Sequence, residues 1–363
     1  MGKRIEALRR KMMEGGADAV LVSLPFNRRY ISGLTATDSP SGSTAGWALI
    51  TQTEALLLVG FLSLEQARRE CPDFTIVMFT GTPTPLVAQA VRERGIRRLA
   101  CEGNHLAYLT YVDLKTQVGD YCKLIPFEGW IEDLRALKDE TEVGLIRRAA
   151  KITDQAFEHV LGIVRPGVTE RELAWEAERY MREAGAEAMA FEIGLASGPN
   201  TSIPHARPTD RRIQAHEPIW IDMGAQVDGY CADLTRTFCL GEPDEQLRRV
   251  WNLVHEAQRA ALERCRPGMG GRGVDSLARG VIADAGHGAA FGHGLGHGVG
   301  LAVHERPRLG QTSTDVVAAG MVATFEPGVY LEGWGGVRIE DLGVIREEGV
   351  ELLSSAMKQL VIP

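Results

Sequence analysis

Two aspartates flank a predicted turn within residues 218–238. Polar and apolar residues alternate on both sides of Asp228-Gly229, a dipeptide typical of two-residue β-hairpin turns. We therefore expect Asp222 and Asp233 on neighbouring strands, where each carboxylate would raise the pKa of the other unless a cation lay between them. The spacing alone favours a pair of exposed aspartates beside a turn over a metal pair, so it indicates a divalent metal only if further ligands accompany it.

Glycine occupies every second position from 292 to 300, a spacing that suits extended backbone and disfavours a helix. In such a ribbon, His293, Leu295, His297 and Val299 would share one face, and the glycines would let another backbone or a ligand approach closely. His297 would offer the neutral imidazole that metals from manganese to zinc accept. A surface loop rich in glycine and histidine is the alternative interpretation.

Two glutamates lie within a third segment, residues 321–345, which predicts a strand, a turn at Pro327-Gly328, a strand, a turn at 333–336 and a strand. Glu326 and Glu340 would lie on separate strands among apolar neighbours, where an unpaired charge is costly to bury. Arg338 would point to the opposite face of a regular strand from its neighbours. We expect Arg338 to support the ligands or to form a structural ion pair rather than to neutralise Glu340 directly, and we include it among the candidate substrate contacts.

These four carboxylates and one histidine fall on predicted strands of the carboxyl-terminal half, and their combination indicates a metal centre more strongly than any one pair. The ordered motifs SGPNTSIPHA, IDMGAQVDGYCADLTRTF, GHGLGHGVGLAVHERPRL, TFEPGVY and GVRIED closely resemble those of the pita-bread metallopeptidases, which include prolidase, aminopeptidase P and methionine aminopeptidase. The resemblance covers roughly residues 135 to 363. The earlier part of the chain more loosely resembles a creatinase-type amino-terminal domain.

The resemblance implies two divalent ions per chain, manganese, cobalt or zinc. It implies Asp222 on one ion, Asp233 and Glu340 bridging both, and His297 with Glu326 on the other.

Further residues acquire roles only through this resemblance. His205 and His304 would line the substrate site and polarise the scissile carbonyl, Glu326 would shuttle a proton, and His293 would contact substrate or support the ligands. Arg308 lies where short prolidases have an arginine resembling a clamp for the dipeptide carboxylate, which guanidinium can bind through two hydrogen bonds.

The resemblance therefore implies hydrolysis of Xaa-Pro dipeptides. Aminopeptidase P activity on longer peptides with proline second stays open. Methionine aminopeptidase ranks third, because it usually lacks so large an amino-terminal domain. A metal-free pita-bread protein that binds peptides is the alternative of another class.

The elements that position these residues show an internal repeat. A helix beginning near Asp139 ends at Arg165-Pro166-Gly167, and a second helix begins at Thr169, where Glu172 could complete a capping box. A helix pair with a stop at residues 266–268 recurs about a hundred residues later. The sequence thus predicts an α+β pita-bread domain of two similar halves, related by a pseudo-twofold duplication, facing one pocket.

The first ~130 residues alternate amphipathic helices with short apolar strands, which is α/β patterning. We place a creatinase-type domain at residues 1–132 and the catalytic domain at 133–363. Residues 35–46 are rich in serine, threonine, glycine and proline, and a functional flap is expected there.

Composition limits the partners and the location. The 363 residues carry a formal net charge of −8, so no basic surface predicts binding to nucleic acid or anionic lipid. Six cysteines without a CxxC pair favour a reducing cytoplasm. No run of ~18 apolar residues predicts a membrane span. A homodimer is expected because relatives are commonly dimers.

Overall fold

The computed structural model describes residues 2–39 and 43–362 and consists of two compact units, Met1–Arg135 and Ala136–Pro363. The domain boundary that we placed after residue 132 falls inside the helix Trp130–Ala136. Residues 40–42 of the expected flap lie outside the described residues. Of its described part, the Asp38 carboxylate accepts hydrogen bonds from the buried Arg28 guanidinium and the Ala45 amide.

The first unit is a six-stranded mixed sheet with helices, in the strand order β4-β3-β2-β1-β5-β6. Among residues 2–39 and 43–135, the helices are α1 (Gly2–Glu14), α2 (Pro25–Ser32), α3 (Leu64–Glu70), α4 (Thr84–Glu93), α5 (Tyr108–Val118) and α6 (Trp130–Ala136). The strands are β1 (Ala19–Val22), β2 (Gly46–Thr51), β3 (Ala55–Val59), β4 (Thr75–Met78), β5 (Arg98–Glu102) and β6 (Lys123–Phe127). Every residue of β1 and β2 is buried, as expected for central strands covered on both faces. The predicted α/β class is confirmed.

The second unit combines two helix pairs with two larger sheets. In residues 136–362, the helices are α7 (Glu140–Ile163), α8 (Glu170–Glu183), α9 (Glu245–Arg264) and α10 (Gly271–Asp284). The strands of its first half are β7 (Ala188–Met189), β8 (Gly194–Ser197), β9 (Ile219–Met223), β10 (Ala225–Val227), β11 (Tyr230–Cys231) and β12 (Leu234–Leu240). Those of its second half are β13 (Gly296–Gly298), β14 (Glu305–Leu309), β15 (Val322–Phe325), β16 (Gly328–Leu331), β17 (Gly335–Arg338), β18 (Asp341–Arg346), β19 (Gly349–Leu352) and β20 (Val361–Ile362).

Each half packs its helix pair on its own sheet. In the first half, α7 and α8 share a buried core with β9 and β12, whose sheet has the order β20-β12-β9-β8. In the second half, α9 and α10 share a core with the sheet β14-β13-β15-β18-β19 and with β17. The α+β class of the second domain is therefore confirmed.

The same backbone contact recurs in the two halves. After α7 the Gly167 amide donates to the Ile213 carbonyl at 2.9 Å, and after α9 the Gly268 amide donates to the Val317 carbonyl at 2.8 Å. The next helix starts as predicted in the first half, where Thr169 forms a capping box with Glu172. These equivalent contacts confirm the expected duplication.

Residues 321–345 form one long hairpin rather than the expected three-stranded meander. β15 pairs with β18, and β16 continues from it to pair with β17. The predicted turn at Pro327-Gly328 is therefore wrong, and the reversal lies between Leu331 and Gly335. Proline has no N–H to donate, so at this position it interrupts the strand pairing instead of reversing the chain.

The glycine-rich ribbon is also shorter than expected, because only Gly296–Gly298 form a strand. The expected common face is wrong, since His293 and His297 line a cavity whereas Leu295 belongs to the buried core. The expected close approach of another backbone to the glycines is confirmed. A Cβ atom on Gly296 would overlap the Thr324 carbonyl oxygen on the neighbouring strand.

No helix in the described part of the chain has the length and apolar character needed to cross a membrane.

Candidate active site

A cavity of about 800 Å³ lies within the second unit. Of the ten residues that we singled out from the sequence, it is lined by Asp222, Asp233, His205, His293, His297, His304, Glu326, Arg338 and Glu340. Arg308 is not among the described lining residues. The fold therefore brings together all the candidate metal ligands that the sequence predicted and all but one of the candidate substrate residues.

The two aspartates lie where a hairpin changes partners. Asp222 on β9 is in register with Thr235 on β12, and Asp233 immediately precedes β12. Beyond this point β10 pairs with β11 in a different sheet. Gly224 lies at the change, where a Cβ atom would overlap the Ala232 carbonyl oxygen. A side chain is thus excluded at this position.

The two glutamates occupy the matching interruption of the second hairpin. Glu326 directly follows β15, and Glu340 directly precedes β18. The Glu326 amide donates to the Leu295 carbonyl at 2.7 Å, and the Glu340 amide donates to the Thr235 carbonyl at 3.0 Å. These bonds tie the second hairpin to the glycine-rich segment and to the first hairpin.

Four of the five candidate ligands, His297 among them, lie close together. Asp233, His297 and Glu340 offer ligand atoms that all lie within 4.8 Å of one another. His297 Nε2 lies 3.2 Å from Glu326 Oε1 and 3.6 Å from Asp233 Oδ2. Asp222 instead pairs with Arg338, whose Nη2 lies 2.5 Å from Asp222 Oδ2.

Burial disfavours the charged form of these carboxylates. Burial raises the pKa of Asp233 well above its usual value, and the neighbouring Glu340 and Asp222 raise it further. The pKa of Glu340 is likewise raised by burial and then by Glu326 and Asp222. Burial also opposes ionisation of Glu326, but its hydrogen bond and charge interaction with His297 lower the pKa to about 2. The site therefore concentrates negative charge that lacks sufficient compensation from the protein.

The donor set fits divalent cations. Asp222 Oδ1 is buried, and no described residue offers it a hydrogen bond. His297 Nδ1 lies 3.1 Å from the Gly298 carbonyl oxygen, which can only accept, so Nδ1 carries a proton. Without a metal, Nε2 also carries a proton, which it donates to Glu326, and loss of this second proton would free the Nε2 lone pair for a cation. Carboxylates with one imidazole suit manganese, cobalt or zinc.

Arg338 is a buried partner of Asp222 that also faces the cavity. Its Nε donates to Thr235 Oγ1 at 3.0 Å, and its Nη1 donates to the Pro204 carbonyl at 2.8 Å and to the Tyr330 hydroxyl at 3.0 Å. The guanidinium thus holds Asp222 and the backbone just before His205 in one network. The expectation that Arg338 does not neutralise Glu340 directly agrees with these bonds, and its substrate contact stays a prediction.

The three remaining histidines surround the cluster. His205 and His304 are exposed in the cavity wall, and the His304 ring centroid lies 4.2 Å from that of His297. Partial burial and the neighbouring His297 lower the pKa of His304. His293 Nε2 lies 3.2 Å from the Tyr330 hydroxyl, and burial lowers the pKa of His293. Both His293 and His304 are therefore neutral near pH 7.

Arg308 lies on β14 with an exposed side chain, and its backbone is in register with His297. It is near enough to His304 to lower the pKa of that imidazole. Its role as a carboxylate clamp stays a prediction.

Sequence reasoning missed Tyr330 and Thr324. The Tyr330 hydroxyl lies between His293 and Arg338. Thr324 Oγ1 accepts from the His297 amide at 3.0 Å and donates to Glu326 Oε1 at 3.2 Å. Both residues lie in strands with apolar neighbours, where tyrosine and threonine are common for packing reasons alone. Only their position beside the glutamate motif could have singled them out.

Comparisons with known proteins agree with this geometry. Residues 144–347 match the model of metallopeptidase family M24, and residues 4–137 match the creatinase/prolidase N-terminal domain. The Xaa-Pro dipeptidase of Pyrococcus furiosus is 36% identical over 99% of this chain and 100% of its own length.

Solved structures are similar over nearly the whole chain. The Xaa-Pro dipeptidase from Bacillus anthracis is 38% identical, with a TM-score of 0.94 and 99% of both chains covered. The X-Pro aminopeptidase from Thermotoga maritima is 34% identical, with a TM-score of 0.86, covering 96% of this chain and 98% of its own. The family expected from the motifs is confirmed.

Substituting Asp233→Asn should stabilise the metal-free protein at neutral pH, because an amide carries no charge to bury beside Glu340. One unit of pKa shift corresponds to about 1.4 kcal/mol, so we expect a gain of at least about 1 kcal/mol. For a domain of this size, that gain raises Tm by about 2–4 °C. Calorimetry in excess chelator measures it, with the exposed Asp284→Asn as the matched control.

The gain should disappear as the pH falls toward about 4, the ordinary carboxyl pKa. A raised folded-state pKa leaves the wild-type protein fully stable below that pH and costs stability as the pH rises through the folded-state value. A metal-free Asp233→Asn protein that melts below wild type at pH 7 would contradict the electrostatic account.

Proposed function

The chain belongs to metallopeptidase family M24, and on that premise we propose that it hydrolyses Xaa-Pro peptide bonds, with dipeptides as its main substrates. The observation that carries the proposal is that four carboxylates and His297 line one cavity, where Asp233, His297 and Glu340 offer ligand atoms within 4.8 Å of one another. The similar proteins from Pyrococcus furiosus and Bacillus anthracis are Xaa-Pro dipeptidases, which supports this substrate class.

The cluster would bind two divalent ions, manganese, cobalt or zinc. Asp222, Asp233 and Glu340 would hold one ion, and Asp233, Glu340, His297 and Glu326 would hold the other. When bound, the ions would supply a water that is deprotonated near neutral pH and a Lewis acid for the scissile carbonyl. Intact ligands at all five positions speak against a metal-free peptide-binding protein.

The residues of the chain would manage the protons and the carbonyl oxygen. The Glu326 carboxylate, oriented by Thr324, would take a proton from the attacking water and pass it to the leaving nitrogen. The leaving nitrogen of a hydrolysed peptide bond must receive a proton, and in an Xaa-Pro bond that nitrogen is the ring nitrogen of proline. His304, neutral because its pKa is lowered, would donate a hydrogen bond to the developing oxyanion, and His205 would bind the same carbonyl region.

Aminopeptidase P activity on longer peptides is the second candidate. The similarity to the X-Pro aminopeptidase from Thermotoga maritima over 96% of this chain favours it. The two candidates differ in whether the cavity recognises a carboxylate directly after proline. Methionine aminopeptidase activity ranks third, because such enzymes usually lack so large an amino-terminal domain, whereas this chain matches a creatinase/prolidase N-terminal domain.

We also propose a cytoplasmic homodimer. The six cysteines are free and buried, which supports a reducing compartment. The dimer rests on the family resemblance alone.

A substrate-length series with metal analysis tests the proposed function. We expect about two divalent ions per chain and fastest cleavage of Xaa-Pro, slower cleavage of Xaa-Pro-Yaa and none of Met-Xaa-Yaa, with activity lost in chelator and restored by manganese, cobalt or zinc. Metal content and rates are measured on the same sample. Absence of both metal and activity after these additions would refute the enzyme, and faster cleavage of Xaa-Pro-Yaa would favour aminopeptidase P.

Replacing Arg308 by alanine tests the carboxylate clamp. A bidentate bond to a carboxylate contributes about 1.5–3 kcal/mol, so kcat/KM for an Xaa-Pro dipeptide should fall about 10- to 100-fold, mainly through KM. The tripeptide should lose less, because its carboxylate lies one residue further on. The control is Arg207→Ala, which removes an exposed arginine that lines the cavity. Equal losses on dipeptide and tripeptide would remove Arg308 from this role.

A further inference from the structure

One buried side chain bonds to both strands of the second hairpin at the point where their pairing is interrupted. β15 and β18 are paired up to Phe325 and Asp341. Gln258, on α9, directs its side-chain amide into this point and donates to the Phe325 carbonyl at 2.9 Å and to the Ile339 carbonyl at 3.1 Å. Phe325 and Ile339 immediately precede Glu326 and Glu340 in the sequence. A single amide therefore bridges the two backbones just where each presents a candidate ligand.

The amide has only one acceptable orientation. Gln258 is fully buried, and its Oε1 accepts a hydrogen bond from Lys358 Nζ at 2.9 Å. A flipped amide would turn an oxygen toward two carbonyl oxygens and an NH₂ group toward an ammonium. Lys358 also forms an ion pair with the Asp341 carboxylate. Lys358, which donates to Gln258 Oε1, thus fixes the orientation of the amide.

The same network reaches Glu340 from a second direction. The Asp341 carboxylate accepts from Arg236 Nη2 at 2.7 Å, and Arg236 Nη1 donates to the Glu340 carbonyl. Gln258 thus holds the residue before Glu340, and Arg236 holds Glu340 itself. Polar side chains from α9, from β12 and from the residues before β20 converge on this short stretch of backbone.

Gln258 is unusual on its own helix. The other buried residues of α9 are Leu247, Val250, Trp251, Val254, Ala257 and Ala261, all apolar or aromatic. Burying an amide costs free energy unless all of its hydrogen bonds are made, whereas an apolar residue could fill the same space without that cost. The position calls for an amide because it must bind two backbone carbonyls at once.

We propose that Gln258 is a positioning residue for the metal pair, setting the separation of Glu326 and Glu340 through the backbone carbonyls that precede them. The inference rests on the proposed function only in taking these two glutamates as ligands. Residues beyond the first ligands commonly change metal affinity 10- to 100-fold when replaced. Gln258 acts one step further out than Thr235 or Thr324, which bond to the carboxylates themselves.

The test compares Gln258→Met with Gln246→Met, an exposed glutamine on the same helix. Metal-free proteins are titrated with Co²⁺ and with Mn²⁺ by calorimetry, and the visible absorption of the Co²⁺ form reports its coordination geometry. We expect Gln258→Met to raise the dissociation constant of at least one ion about 10-fold or more and to alter the Co²⁺ spectrum. The control should match wild type in both measurements.

A purely structural role would lower Tm of the metal-free protein while leaving affinity and spectrum unchanged, and that result would overturn the proposal. If Gln258→Met does not fold, Lys358→Met is the second test. It leaves the Gln258 amide and its two acceptors in place but removes the donor that fixes the orientation of the amide. It should weaken binding less, in the same direction, and wild-type affinity would overturn the proposal. Failure of the wild-type protein to bind either ion would refute the proposed function. That outcome differs from a failure of the Gln258 proposal, in which wild type binds the ions and Gln258→Met binds them equally well.

Discussion

The structure of the second unit is organised around mutual repulsion among buried carboxylates. Four of them face one cavity together with His297, and Arg338 is the cation that the described residues bring directly to one of them, Asp222. Its hydrogen bonds to Asp222, to Tyr330 and to the backbone before His205 spread one positive charge over several structural elements. One guanidinium cannot compensate four carboxylates, and the raised pKa values of Asp233 and Glu340 express that deficit. Divalent cations would remove it.

The backbone meets this constraint in the same way in both halves of the duplicated domain. Each half contains a hairpin that changes sheets partway along, and each change presents two acidic residues to the cavity. Gly224 permits the change in the first half, where the neighbouring carbonyl leaves no space for a side chain. Pro327 marks it in the second, where the strand lacks one N–H. Interrupted strands direct side chains that regular alternation could not bring to one point.

The sequence predicted which acidic residues line the cavity better than it predicted the backbone that carries them. Asp222 and Asp233 were placed correctly because Asp228-Gly229 determines the hairpin register locally. The Pro327-Gly328 turn was wrong because a proline that interrupts strand pairing and one that reverses the chain have the same local signature. Gln258 could not be found, because an amphipathic helix carries no indication of which carbonyls its buried amide will meet.

An anomalous-difference map from crystals of the protein loaded with Mn²⁺ would show directly whether the carboxylate cluster binds two ions. We expect two peaks, roughly 3.5–4 Å apart, with Asp233 and Glu340 bound to both and His297 bound to one. A single peak outside the carboxylate cluster, or no peak at full manganese loading, would contradict this expectation.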